Sequence, residues 1–276
     1  MNRNPLVTPE WLVEHLQDSG LVVVDCRFDL ARPEAGEEAY RKGHIPGALY
    51  LHLEQDLSAP VGTHGGRHPL PDEERLAERL GALGIDHRRT VIAYDDQGGM
   101  MAARLWWMLR YLGHGEVFVL NGGYGAWTEL GYPVSDEVPR REPTRFVPHR
   151  QEQFQVGMEE VKAWKGLLID SREPARYEGK TEPIDAQAGH IPGAVNRFWK
   201  ENLGKDGRWK TPAELKKEWA FASGKQPIVY CGSGVTACAN LLALYAAGIP
   251  EARLYAGSWS DWISYEQNPV ATGPTS

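Results

Sequence analysis

One pattern is written twice along the chain, and nothing else constrains the fold as much. The first half reads "LVVVDCR" at 21–27, "GHIPGAL" at 43–49, "TVIAYDD" at 90–96 and "NGGYGAW" at 121–127. The second half reads "LLIDSR" at 167–172, "GHIPGAV" at 189–195, "PIVYCGS" at 227–233 and "AGSWSDW" at 256–262. The offsets are 145 from Asp25 to Asp170, 146 from His44 to His190, 136 from Asp95 to Cys231 and 135 from Trp127 to Trp262. Four anchors in one order at near-constant spacing identify a duplicated domain.

Each copy opens with an amphipathic helix, "TPEWLVEHLQ" or "GMEEVKAWKG", followed by a β-rich run that ends in Asp. A further apolar strand, "VIAY" or "PIVY", leads into a long helix over 100–112 or 235–247. A third, "VFVL" or "ARLY", precedes a short helix that contains Trp. Short buried strands alternating with helices predict an α/β fold, each copy a parallel sheet with helices on both faces. Between the copies, Pro133, Pro139, Pro143 and Pro148 lie among charges, which hinders helix and sheet alike. We therefore expect domains over 6–132 and 154–271, joined by an extended linker over 133–153.

At 276 residues, 42% of them hydrophobic, the chain can build two cores. A net charge of −7 argues against a nucleic-acid or anionic-membrane partner. The N-terminal "MNRNPLVTPEW" lacks the apolar stretch of a signal peptide, and no run is long enough to span a membrane. Cys26, Cys231 and Cys238 form neither a disulfide framework nor a C-x-x-C pair, which points to free thiols in a reducing cytoplasm.

The informative thiol is Cys231, set where the strand "IVY" stops and "CGSGVT" turns toward a helix. Strand ends of this kind are where parallel α/β sheets bind ligands. The turn's N–H groups and the helix N-terminus favour an anion, and Gly232 and Gly234 permit the torsions such a cradle needs. A thiolate, the reactive form, is favoured there. Locally, a packed cysteine in a small-residue turn fits as well. The repeat separates the two readings, because the first copy carries Asp95 at this position and needs no thiol to keep its shape. Cys26 aligns with Ser171 and reads as an inert small residue, while Cys238 lies two helical turns beyond Cys231 and reads as packed. A phosphatase loop would place an arginine six residues after its cysteine, and Ala237 stands there.

"YRKGHIPGALYL", the two-copy layout, and "CGSGVTA" followed by "YAGSWSDW" resemble the tandem-domain rhodanese family of sulfurtransferases across nearly the whole chain. The loop is most similar to the 3-mercaptopyruvate branch. The resemblance implies a catalytically silent first domain and a second domain whose Cys231 carries sulfur as a persulfide. It implies substrate contacts from the Gly232, Gly234, Val235 and Thr236 loop and from Arg176 in "ARY", with Arg172 supporting the fold. The branch's second arginine is replaced by Ile184 in "EPID", leaving Lys180 or Arg67 as substitutes. "EQDLSAPVGTHGGRHPLP" matches the segment that brings a histidine and a carboxylate to the opposite domain's cysteine, here His68 and Glu54, with Ser233 completing a proton relay.

His64 and His68 lie in a Gly-rich stretch unsuited to helical metal ligation, and His44 and His190 recur in both copies as structural residues. Trp106, Trp107 and Trp262 read as core, and Trp199 as core or pocket wall. No metal or organic cofactor is implied. The implied partners are a small-molecule sulfur donor and a thiol acceptor such as thioredoxin or a small thiol. Thiosulfate is the competing donor, although its specialised branch carries cations in the loop. A non-catalytic persulfide carrier or sensor is the other alternative.

Overall fold

The computed structural model describes residues 4–274. In the first half the order is β1 (Leu6–Val7), α1 (Pro9–His15), β2 (Leu21–Asp25), α2 (Ala35–Lys42), β3 (Leu49–Tyr50), α3 (Glu73–Ala82), β4 (Thr90–Tyr94), α4 (Met100–Tyr111), β5 (Val117–Leu120) and α5 (Gly123–Glu129). The second half repeats it with β6 (Gln155–Val156), α6 (Met158–Ala163), β7 (Leu168–Asp170), α7 (Pro174–Tyr177), β8 (Ala194–Asn196), α8 (Pro212–Glu218), β9 (Ile228–Tyr230), α9 (Ala237–Ala246), β10 (Arg253–Tyr255) and α10 (Ser258–Trp262). The two sheets run β1-β5-β4-β2-β3 and β6-β10-β9-β7-β8, the same order with every pairing parallel. The expected helices and strands are present with ends within a few residues.

Local chemistry sets the boundaries. The Thr8 hydroxyl accepts from the Trp11 N–H and Pro9 opens α1, an N-terminal cap that needs no tertiary help. Thr211 and Glu214 close a reciprocal capping box on α8. In β2, Val22 and Val24 face one core while Leu21 and Val23 face another, the alternation of a strand covered on both sides.

The repeated motifs form a polar frame. Asp25 pairs in register with Tyr94, and Asp170 with Tyr230. Arg27 grips Asp25 at 2.6 Å and donates to the Gly43 carbonyl at 2.7 Å; Arg172 does the same with Asp170 at 2.6 Å and Gly189 at 2.5 Å. His44 and His190 bond the Tyr40 and Tyr177 carbonyls and stack on those tyrosine rings. These groups tie the GHIPGA turn to the strand end in both halves, so they belong to the fold.

The halves do not sit as separate beads. Helix α4 packs against α9, and one continuous core runs from Met101–Leu112 through to Ala237–Ala247. Trp106 and Trp107 are buried in that core, while Trp262 is buried in the second half's outer core. The segment 133–153 contains no helix or strand before Glu152, and it lies against the first half through Thr144 N–H to Gly81, His149 N–H to Leu112 and the buried Phe146.

Candidate active site

Strand β9 ends at Tyr230 and delivers Cys231 into the turn before α9. The carbonyls of Cys231 and Gly232 turn away from the turn's centre, accepting from the Trp259 and Ser260 N–H groups of α10 at 3.0 and 2.9 Å. That leaves the Gly234 N–H to point at the Cys231 sulfur, 3.1 Å away. Gly234 has φ +78°, and a β-carbon there would stand 2.2 Å from the Ala256 carbonyl oxygen, so the turn requires glycine. Ser258, also at positive φ, accepts from the Cys231 N–H at 3.1 Å and holds the turn from below.

The first half displays what this turn is built to hold. Asp95 occupies the equivalent place, and its carboxylate accepts four backbone N–H groups, from Gln97, Gly99, Met101 and Ala102, at 2.7–3.0 Å. Burial pushes this carboxyl up while the four donors favour its ionised form. In the first half the turn is an anion cradle.

Cys231 is 1% exposed and lines a cavity of about 60 Å³ together with Ser233, Val235, Thr236, His68 and Arg67. A wider cleft of about 690 Å³ between the two halves adjoins it, sharing Met100, Arg176, Ile184 and Thr236. Trp199 stands in the wall of that cleft.

The segment before α3 crosses to the second half. Gly65 N–H donates to Asp261 at 2.7 Å, Arg67 N–H to Ser260 at 3.1 Å, and the His64 ring bonds Ser264 and stacks on Tyr265. His64 is thus a docking residue, which its sequence surroundings did not indicate. The crossing delivers His68, whose Nδ1 is 2.7 Å from the Ser233 hydroxyl. Burial first, then the charges of Arg104 and Arg67, hold the His68 pKa down at about 3, so the ring is neutral at working pH. Glu54 stands at the rim, 46% exposed, with its carboxylate 3.9 Å from His68 Nε2, beyond hydrogen-bond reach. The structure brings Ser233 and His68 together and leaves Glu54 at arm's length.

Arg176 reaches the loop, but not as a free clamp. It pairs with Glu182 at 2.7 Å and with Asp185 at 2.9 Å. Arg67 donates to the same Asp185 at 2.8 Å, and both guanidinium groups crowd the place that a β-carbon on Gly232 would take. Of the two residues offered as substitutes for the missing arginine, Arg67 is at the loop. Lys180 pairs with Glu178 and lines neither cavity. The sequence did not flag Asp185; Arg176 is nine residues away in the same half, while the contact with Arg67 follows only from the way the halves meet.

The remaining thiols are out of reach of the chemistry. Cys26 is buried in the first half's core, and burial raises its pKa well above the ordinary thiol value. Cys238 donates to the Gly234 carbonyl at 3.3 Å and is pushed up to about 12, again chiefly by burial.

The rhodanese-like domain family matches the chain twice, over residues 8–130 and 152–265. A protein from Pseudomonas aeruginosa described as a probable 3-mercaptopyruvate sulfurtransferase is 42% identical, with 99% of this chain and 100% of that one aligned. A thiosulfate sulfurtransferase from Cricetulus griseus is 34% identical over 97% of this chain and 94% of its own. Among solved structures, SseA from Escherichia coli, described as a 3-mercaptopyruvate sulfotransferase, superposes with a TM-score of 0.81 at 32% identity, covering 94% of this chain and all of that one. Two parallel sheets of one topology and a double family match agree: the chain belongs to the rhodanese-like family, with two such domains in tandem.

Proposed function

We propose that this protein is a 3-mercaptopyruvate sulfurtransferase working through a persulfide on Cys231. The observation that carries the reading is the loop itself, which has no cation of its own and in which Ser233 hydrogen-bonds His68 at 2.7 Å beside a thiol that faces the Gly234 N–H. The Cys231 thiolate attacks the donor's sulfur, forming an S–S bond as the donor's C–S bond breaks. The electron pair of that bond leaves on carbon as the pyruvate enolate. Ser233 and His68, with Glu54 at the rim, relay the proton that turns the enolate into pyruvate. Cyanide or a thiol then takes the outer sulfur and returns the Cys231 thiolate. Two half-reactions through a covalent intermediate give ping-pong kinetics.

The domain spanning 6–132 is read as catalytically silent, with Asp95 filling its cradle, and the domain spanning 154–271 as the working one. Loop residues Gly232, Gly234, Val235 and Thr236 surround the transferred sulfur, and Arg176 with Arg67 faces the donor's carboxylate. Thioredoxin or a small thiol is the proposed acceptor. Among the described residues no helix is long and apolar enough to cross a membrane, and all three cysteines are free. A reducing cytoplasm suits such thiols.

The test is kcat/KM for mercaptopyruvate and for thiosulfate, with cyanide as acceptor, in the parent, Cys231→Ser and Ser233→Lys. Cys231→Ser should lose turnover with both donors while staying folded. Mercaptopyruvate should lead in the parent, and Ser233→Lys, which adds a cation for a dianion, should move the ratio toward thiosulfate. A parent preferring thiosulfate refutes the donor assignment alone. A single sulfur loading without sustained turnover would make the protein a carrier.

A further inference from the structure

Arg104 lies on α4 of the half that has no cysteine in its cradle, and its side chain is 0% exposed. Its guanidinium donates to three backbone carbonyls from three separate segments: Gly234 at 3.0 Å, His68 at 3.1 Å and Leu57 at 3.3 Å. Its Nε has no hydrogen-bond partner, and no carboxylate among the described residues pairs with it. A fully buried cation with no carboxylate partner is costly, and such charges are ordinarily paired.

The surroundings of Cys231 identify the missing partner. Arg104 from α4 and Cys238 from α9 both donate to the carbonyl of Gly234, whose N–H faces the Cys231 sulfur; Arg67 and His68 reach the same loop from the crossing segment, and Arg176 with Asp185 stand beside Gly232. Arg67 and Arg176 are compensated by Asp185 and Glu182. His68 is neutral, and the raised pKa of Cys238 keeps it a thiol. Of the charged groups in that set, Arg104 alone lacks a counter-charge. The thiols of Cys238 and Cys231 are the ionisable groups that work against the lowering of its pKa by burial.

We propose that Arg104 is a positioning residue through which the silent domain governs the working loop, holding the Gly234 and His68 carbonyls in place and standing as the counter-charge of the Cys231 thiolate and persulfide. The proposal rests on Cys231 being the nucleophile. One residue thereby fixes both sides of the site: the turn that carries the sulfur and the segment that carries the proton relay. It also gives the silent domain a part in a reaction to which its own cradle contributes no thiol.

Two quantities separate this role from a merely structural one: the pH at which alkylation of Cys231 by iodoacetamide is half-maximal, mapped by peptide mass, and the split between kcat and KM. Arg104→Met and Arg104→Gln should each raise the alkylation midpoint by about one pH unit or more, since a nearby cation favours the thiolate. Arg104→Lys keeps the charge, so its midpoint should stay within about half a unit of the parent. Its kcat should nevertheless fall about tenfold at nearly constant KM, because a single ammonium lacks the fork that holds several carbonyls. A folded neutral variant with the parent's midpoint overturns the proposal, and so does a lysine variant with the parent's kcat. Thermal melting establishes folding in each case. Should neither neutral variant fold, the lysine variant decides alone. Turnover surviving in Cys231→Ser would instead refute the nucleophile on which the inference stands, so the two failures are distinct.

Discussion

Asp185 is a carboxylate placed where the proposed function would have the donor's own carboxylate received. Its side chain is 2% exposed and accepts from both Arg67 and Arg176, one arginine from each half. The pair of cations is therefore already satisfied in the free protein, and an incoming anion competes with an internal one. Asp185→Asn should lower KM for mercaptopyruvate. A charged hydrogen bond is worth about 1.5–3 kcal/mol, so the drop should be roughly one power of ten. Steady-state kinetics check this, and an unchanged or raised KM would show that the arginines do not receive the donor. His68 makes a second prediction. Its folded pKa of about 3 lies below the free value of 6.5, so between those pH values the unfolded chain binds a proton that the folded chain refuses. Stability contributed by the neutral ring is complete above the free value and is lost as pH falls toward the folded one. Between about pH 7 and about pH 5 the parent's Tm should fall further than that of His68→Asn. Equal slopes would mean the ring is not held neutral.

At the scale of elements, the Cys231 turn has its backbone forced into one shape. The carbonyls of Cys231 and Gly232 are taken by α10, and Gly234 fits only because it has no β-carbon. Gly234→Ala should lower kcat at least tenfold and destabilise the fold by about 1–3 kcal/mol, the usual cost of a non-glycine residue in strained backbone. Activity assays and urea unfolding measure both, and parent-like kcat would show that the turn tolerates another shape. Much of this element was legible in the sequence, since "CGSGVT" after an apolar run advertises a strand, a thiol and a glycine turn. The partnership of Ser233 with His68 was legible only through family resemblance, because the two residues are 165 positions apart. Arg104 was not legible at all. It sits in the apolar run "MMAARLWWMLR", and its partners are backbone carbonyls, which leave no mark on residue identity.

For the whole molecule, the duplication predicted two sheets, and they have the same strand order. The sequence concealed how completely the halves merge, because the α4–α9 contact is made of ordinary Ala, Leu, Met and Trp side chains that would suit any core. It also concealed that 133–153, rich in proline, is pinned along the first half by backbone hydrogen bonds. A shared core makes the halves one thermodynamic unit. The full chain should therefore melt in a single calorimetric transition with matching calorimetric and van't Hoff enthalpies. Two resolved transitions would show that the α4–α9 interface is dispensable to folding.

The Asp95 carboxylate gives the duplication a further meaning. In the first half the anion is part of the polypeptide, so its cradle is filled from the moment the chain folds and can never be emptied, oxidised or loaded. In the second half, on the proposed mechanism, the place belongs to a reagent: the Cys231 sulfur, lengthened by one atom and shortened again in every cycle. The same architecture thus serves as fixed masonry on one side and as a moving part on the other. With α4 leading directly out of the permanently filled cradle and carrying Arg104 to the Gly234 carbonyl of the other turn, the proposal makes the first copy the anvil against which the second is held.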